Sequence, residues 1–311
     1  MLAIFLKTLP FFLLIGLGYW AGRTKFFSEE ATAYLTKFVF YFALSAMIFR
    51  FSSNLEFSEF WDTQLVLAYL SATALVYVLA TCIGYFRGLD IQTMAIEAQC
   101  SVIGNVGFLG IPMLALLLGN AAVGPVILIL TVDLIVFSSL IVILITGYRD
   151  GRMSLGILRT IGKGLIRNPM IVSMASGLLW SALQLPIPSP MADFLEILGA
   201  AATPGALFAI GASLASKSAE RLSIAVWLSA CKLFIHPFCV AIAVLFIFPV
   251  NLFSAGVVIA AAAMPVAGNV FILAQHYGVA PQRVSAAILV STVISVVTLT
   301  GVIAWVSGFQ A

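Results

Sequence analysis

Two asparagines stand where polar side chains are expensive. Asn105 and Asn269 each follow a glycine and precede a valine, in the runs IGNVGFLGIP (Ile103–Pro112) and MPVAGNVF (Met264–Phe271), inside strongly apolar segments. A primary amide offers two donors and one acceptor carbonyl without charge, which suits an organic acid or a polar group on one. The glycines and prolines beside them should fracture a helix. A fracture frees backbone N–H groups, and a helix restarting beyond it turns its positive end toward the gap, where an anion is favoured. The candidate substrate-binding set is therefore Gly104, Asn105, Val106 and Gly107 with Gly268, Asn269 and Val270, and the candidate hinges are Gly110, Pro112 and Pro265. One such fragment alone reads better as a kink whose asparagine ties helices together. Two with the same triplet turn the reading toward a site.

Two further charges fall deep in apolar segments, Asp133 and Lys232, each about ten residues from a segment end and so roughly 15 Å inside a spanning helix. A lone charge there costs at least about 2.5–3.5 kcal/mol. They are read either as a structural ion pair or as functional groups, with Lys232 attracting the anion and Asp133 exchanging a proton or cation. Glu97, Lys37 and His276 lie nearer segment ends and are expected to be solvated by snorkelling.

The elements that must position these residues are membrane spans. Of 311 residues, 62% are hydrophobic and only 9% charged, against about 25% charged in soluble domains. The net charge of +3 is small and unclustered, which excludes a nucleic-acid patch. Cys82, Cys100, Cys231 and Cys239 form no CxxC or His/Cys cluster, so they are read as small core residues, and no metal site is expected. Segments of about 20 apolar residues recur at about 3–22, 31–51, 62–86, 92–118, 122–148, 168–185, 191–215, 221–248, 254–277 and 284–308. The fourth and ninth carry the fractures.

The two halves repeat. Pro10 and Gly18 match Pro169 and Gly177, and Ala43 and Phe49 match Ala202 and Phe208, all at an offset of 159; the Gly-Asn-Val triplets match at 164. Five spans per repeat is odd, so the halves should be inverted, an arrangement found in secondary transporters with broken midplane helices. The expected organisation is a first repeat over 1–148, a basic connector over 149–167, and a second repeat over 168–311. Loops after odd spans hold Arg23, Lys25, Arg87, Arg149, Arg152, Arg159, Lys163, Arg167, Lys217, Arg221 and Arg283, and loops after even spans hold only Arg50. The positive-inside rule then puts odd loops in the cytoplasm and both termini outside. In the connector, Leu158, Ile161 and Leu165 share one helical face and the cations fill the rest, which fits either a basic helix on an anionic leaflet or a solvated link.

These motifs resemble the auxin efflux carrier family, which includes plant PIN-type auxin transporters and bacterial malonate and malate permeases. The resemblance covers the whole chain, through LPFFLLIGLGYWAGR (Leu9–Arg23), NVGFLGIPMLALLLG (Asn105–Gly119), KLFIHP (Lys232–Pro237) and MPVAGNVFILAQHYGV (Met264–Val279). It implies the all-α fold of bile-acid and sodium/proton antiporters, with crossover helices in spans 4 and 9. It further implies a scaffold of spans 1, 2, 6 and 7, an elevator-like transport domain of spans 3–5 and 8–10, and a homodimer. Plant members have Leu-Pro-Asn where Ile103-Gly104-Asn105 stands, and a Lys-Glu pair where Gln275 and His276 stand; their long cytoplasmic loop is missing. These departures shift the expected cargo from auxin toward a bacterial carboxylate in the cell membrane.

An intramembrane enzyme is the first rival, but there is no HExxH motif and no aspartate pair. A membrane-embedded sensor or a channel for an organic acid is the second. With no ATP-binding glycine loop and no cofactor motif, flux should be passive or coupled to H+ or Na+, and the residues allow either.

Overall fold

A computed structural model describes residues 2–55, 61–150, 155–216 and 222–310. Arg152, Lys217 and Arg221, three of the cations used for orientation, lie outside the described residues. Among the described residues, seven helices are long and apolar enough to cross a bilayer. They are α1 (Leu2–Arg23), α2 (Glu29–Ser53), α3 (Thr63–Phe86), α6 (Asn120–Arg149), α9 (Ser189–Ala215), α10 (Leu222–Ile247) and α13 (Pro281–Phe309). Between them lie α4 (Ile91–Val102), α5 (Val106–Leu118), α7 (Leu155–Arg167), α8 (Pro169–Ala182), α11 (Leu252–Ala262) and α12 (Gly268–Tyr277). The expected fourth span is thus α4 plus α5, and the ninth is α11 plus α12, each interrupted.

The expected sixth span is shorter than the sequence suggests. The 14 residues of α8 extend roughly 21 Å, less than the ~30 Å of hydrocarbon. Among the described residues no strand forms, and large side chains such as Leu75, Phe246 and Val297 remain exposed on the outer faces. An all-helical chain with apolar exteriors satisfies its backbone internally, which is what hydrocarbon demands.

Backbones approach most closely at glycines. A Cβ on Gly18 of α1 would stand 2.1 Å from the Phe208 carbonyl oxygen of α9, and one on Gly211 of α9 would stand 1.9 Å from that of Ile15. A Cβ on Gly177 of α8 would stand 2.8 Å from the Phe49 oxygen of α2. Gly18 meets Phe208 as Gly177 meets Phe49, and these are the residues paired by the 159-residue offset. Small residues permit such contacts where lipid supplies no hydrophobic drive.

Several helices contain π turns, including Val106–Gly110 in α5, Asp133–Phe137 in α6 and Cys231–Ile235 in α10. Two of the three contain the buried charges Asp133 and Lys232, and such turns are frequent at functional positions.

Candidate functional site

In the fourth segment α4 stops at Val102, Ile103 is extended (φ −83°, ψ 111°), and helix resumes at Val106. In the ninth, α11 stops at Ala262 and Pro265 follows, a residue that lacks an N–H and disfavours helix in the residue before it. The two interruptions meet. The Asn105 N–H donates to the Pro265 carbonyl across 2.8 Å and the Ala267 N–H to that of Ile103 across 3.1 Å, an antiparallel bridge pairing Gly104 with Val266. Ser291 of α13 accepts from the Val266 N–H at 3.1 Å. Each broken backbone therefore satisfies part of the other, avoiding several kcal/mol for each orphaned group.

What the bridge leaves unsatisfied is directional. Helices α5 and α12 both begin at the bridge, so their positive ends face it. Among the described residues, Gly107 and Phe108 at the start of α5, and Gly268 and Asn269 at the start of α12, have N–H groups without a backbone partner. Neither helix has a side-chain cap. Asn105 is buried and its side chain makes no cap bond to α5, and Asn269 Oδ1 is buried without a partner. Unfilled buried polar groups of this kind are rare in finished packing and call for an occupant.

Lys232 stands at the opposite pole of the broken ninth segment. Its ammonium is fully buried, donates to the Ala262 carbonyl at the end of α11, and lies 3.1 Å from His236 Nδ1. An ammonium can only donate, so Nδ1 accepts and the His236 Nε2–H faces Thr73 Oγ1 of α3, 3.1 Å away. A Cβ on Gly104 would lie 3.1 Å from Lys232 Nζ, so the glycine makes room for the lysine. Lys232 thereby offsets the negative end of α11 and leaves the positive end of α12 unopposed.

Asp133 and Lys232 do not form a direct ion pair. Asp133 Oδ1 accepts from the Tyr69 hydroxyl at 2.9 Å, while Oδ2 is buried without a partner. The Tyr69 ring meets the His236 ring edge-on at 5.9 Å. The two charges are thus joined indirectly, through α3 side chains one turn apart and a histidine one turn beyond the lysine. The His236 spacing from Lys232, and that of Tyr69 from Thr73, were visible in the sequence as i, i+4 pairs; their convergence was not.

Glu97 differs from its expected solvated state. It is 2% exposed and pairs with Arg87 (Nη1 to Oε2, 2.6 Å) and with Arg283. Arg149 bonds Gln92 Oε1 at 2.7 Å and the Tyr277 carbonyl, closing the end of α12. Lys37 and His276 are exposed, as expected. Cys82 is exposed too, so it is not a core residue, whereas Cys100 and Cys231 are. Pro112 lies within α5, seven residues beyond Asn105, so it does not make the break; Gly110 ends the π turn of the same helix. Val106 and Val270 are buried beside their asparagines.

Two cavities lie away from this bridge. One of about 370 Å³ touches Arg23, Lys25 and Glu29, and an apolar groove of about 460 Å³ lies along Phe234, Phe238 and Trp305. Neither is lined by residues of the bridge, so directed polarity identifies the site better than volume does.

Interrupted helices paired deep inside an apolar helical body, with free donors beside them, define the build of a membrane solute transporter. The sequence matches the family described as "Membrane transport protein" over residues 3–303, and the chain belongs to that family, the one to which the auxin efflux carrier resemblance points. It is also 30% identical, over 95% of its own length and 93% of the other's, to a protein of Rhizobium meliloti (strain 1021) named "Putative malonate transporter".

Proposed function

We propose that the protein is a secondary transporter of a small organic anion, a mono- or dicarboxylate such as malonate, malate or an auxin-like acid. The observation that carries this is the pair of helix starts without side-chain caps, α5 and α12, facing one bridge with an asparagine at each, Asn269 Oδ1 being buried without a partner. Two positive ends suit two carboxylate groups, and free N–H groups bind carboxylate oxygens without a buried counter-charge. The name of the Rhizobium meliloti relative, which refers to a three-carbon dicarboxylate, supports the same class.

In this reading the ten segments are two inverted five-helix repeats, 1–148 and 168–311, joined by the basic connector 149–167. The reciprocal contacts of Gly18 with Phe208 and Gly177 with Phe49 favour it. Spans 1, 2, 6 and 7 are the scaffold, and spans 3–5 and 8–10 move as an elevator in a homodimer of the cytoplasmic membrane, with both termini outside. The unpaired buried Oδ2 of Asp133 favours H+ over Na+ as a coupling ion, because one proton satisfies it whereas Na+ needs several more oxygens.

The test is a thermal-shift and counterflow screen of purified protein against mono- and dicarboxylates, with and without sodium. A ligand at 100 times its Kd should stabilise the fold by about 2.7 kcal/mol. If no carboxylate either stabilises the protein or exchanges across proteoliposomes, the assignment is wrong.

A further inference from the structure

The two helix starts are not equally open. A Cβ on Gly268, at the start of α12, would meet nothing within 4 Å. A Cβ on Gly107, at the start of α5, would stand 2.5 Å from Met170 Cε, with Leu130 Cδ2 at 4.0 Å behind it. Met170 belongs to α8, a different segment, and is 5% exposed. Its backbone is held: Pro169 opens α8, and Asn168 Oδ1 accepts from the Met170 N–H at 3.0 Å. Its side chain is not, because an unbranched thioether turns about three bonds and refills irregular space at little cost. One turn on, Met174 accepts from the Thr131 hydroxyl of α6 at 3.0 Å, so α8 presents two methionines to the fourth and fifth segments.

We propose that Met170 is the specificity-determining residue of the anion seat, a movable wall that sets the length of dicarboxylate the two helix starts can hold between them. This rests on the assignment of the seat to α5 and α12. A monocarboxylate needs only the open start of α12. A dicarboxylate must also reach the free N–H groups of Gly107 and Phe108, and the Met170 methyl stands on the flank of that turn. A short diacid fits with the methyl in place or slightly withdrawn, whereas each added methylene pushes against it. Pockets discriminate a single methylene by about 10–200-fold, and a wall that can yield falls at the low end of that range.

The experiment measures binding of acetate, malonate, succinate and glutarate to purified full-length wild type, Met170→Leu, Met170→Ala and Asn105→Leu. Met170→Ala should raise the glutarate-to-malonate affinity ratio by about tenfold and leave acetate nearly unchanged, while Met170→Leu should stay close to wild type. Gly107→Ala should weaken dicarboxylates, and Met170→Ala in the same chain should relieve that loss, because the added Cβ then has room. An unchanged ratio in folded Met170→Ala, or additive losses in the double variant, overturns the wall even if Asn105→Leu abolishes binding. Full binding by Asn105→Leu overturns the seat itself, and the wall with it.

Discussion

The main-chain N–H of Asn105 donates to the carbonyl of Pro265 across 2.8 Å, joining residues 160 positions apart at the point where both of their helices are broken. Asn105 thus has two separable roles. Its backbone closes the bridge, and its side chain makes no cap bond to the helix it precedes. A substitution that keeps the backbone can remove the second role alone. Asn105→Leu should preserve folding while weakening anion binding about ten- to hundredfold, the effect of losing a hydrogen bond to a charged group worth roughly 1.5–3 kcal/mol. Asn269→Leu should act similarly, since it removes the two Nδ2–H donors beside the start of α12. Isothermal titration with a carboxylate checks both, and wild-type affinity in a folded Asn105→Leu protein would reduce the break to a packing device.

Gly211→Ala asks whether the close approach of α1 and α9 matters. The new Cβ would lie 1.9 Å from a backbone oxygen that no side-chain rotation can move, so the helices must separate. Overpacking of this kind typically costs about 1–3 kcal/mol. Thermal unfolding in detergent should show the loss, whereas Gly164→Ala on α7, with nothing within 4 Å, should be nearly neutral. Equal melting temperatures for the two would argue against a tight α1–α9 seam.

The legibility of the site divides along a physical line. The breaks, the paired asparagines and the matched glycines could be read from the sequence because local backbone chemistry and an internal offset mark them. Glu97 could not. Its position near a segment end suggested solvation, and only packing shows that Arg87 from the preceding loop and Arg283 from the start of α13 both converge on it. Asp133 and Lys232 had the right depth and opposite signs for a pair, yet π turns in α6 and α10 aim them at different partners. The shortness of α8 was hidden because apolar residues continue past its helical end into Leu183 and Leu185.

Glu97→Gln tests that convergence. The substitution keeps shape but leaves Arg87 and Arg283 facing a neutral amide, with Arg283 only 15% exposed. Removing one member of a buried ionic cluster costs about 3–5 kcal/mol when the others stay buried. The partly exposed Arg87 can turn to water, so about 2 kcal/mol is expected, read as a fall in melting temperature. An unchanged melt would mean that the cluster is a surface pair of little consequence.

Asp90 gives a pH-dependent case outside the spans. It caps α4, accepting from the N–H groups of Gln92 and Thr93 and from the Thr93 hydroxyl at 2.6 Å, and that hydroxyl bond holds its carboxyl below the usual range. A depressed folded value means the cap's contribution is present above the unfolded value, about 3.9, and fades as pH falls through the lower folded value. Asp90→Ala should therefore cost about 1 kcal/mol at pH 7. Repeating the wild-type-minus-variant comparison toward pH 3 should narrow the gap; a gap that widens on acidification would contradict the capping role.

Lys232→Met separates two accounts of the buried lysine. If Lys232 existed to neutralise Asp133, adding Asp133→Asn to Lys232→Met should recover most of the lost stability. The geometry predicts otherwise. Lys232 donates to the Ala262 carbonyl and to His236 Nδ1, so the methionine leaves two buried acceptors unfilled at about 1–3 kcal/mol each. Asp133 keeps its Tyr69 bond in that variant, and converting it to asparagine restores neither acceptor. The double variant should be at least as unstable as Lys232→Met alone. Lys232→Arg is the informative partner experiment: it keeps charge and donors but brings a planar fork into a space bounded by Gly104, so partial stability with impaired anion binding is expected. Recovery of the melting temperature in Lys232→Met/Asp133→Asn would restore the ion-pair account and remove the argument that Lys232 serves the end of α11.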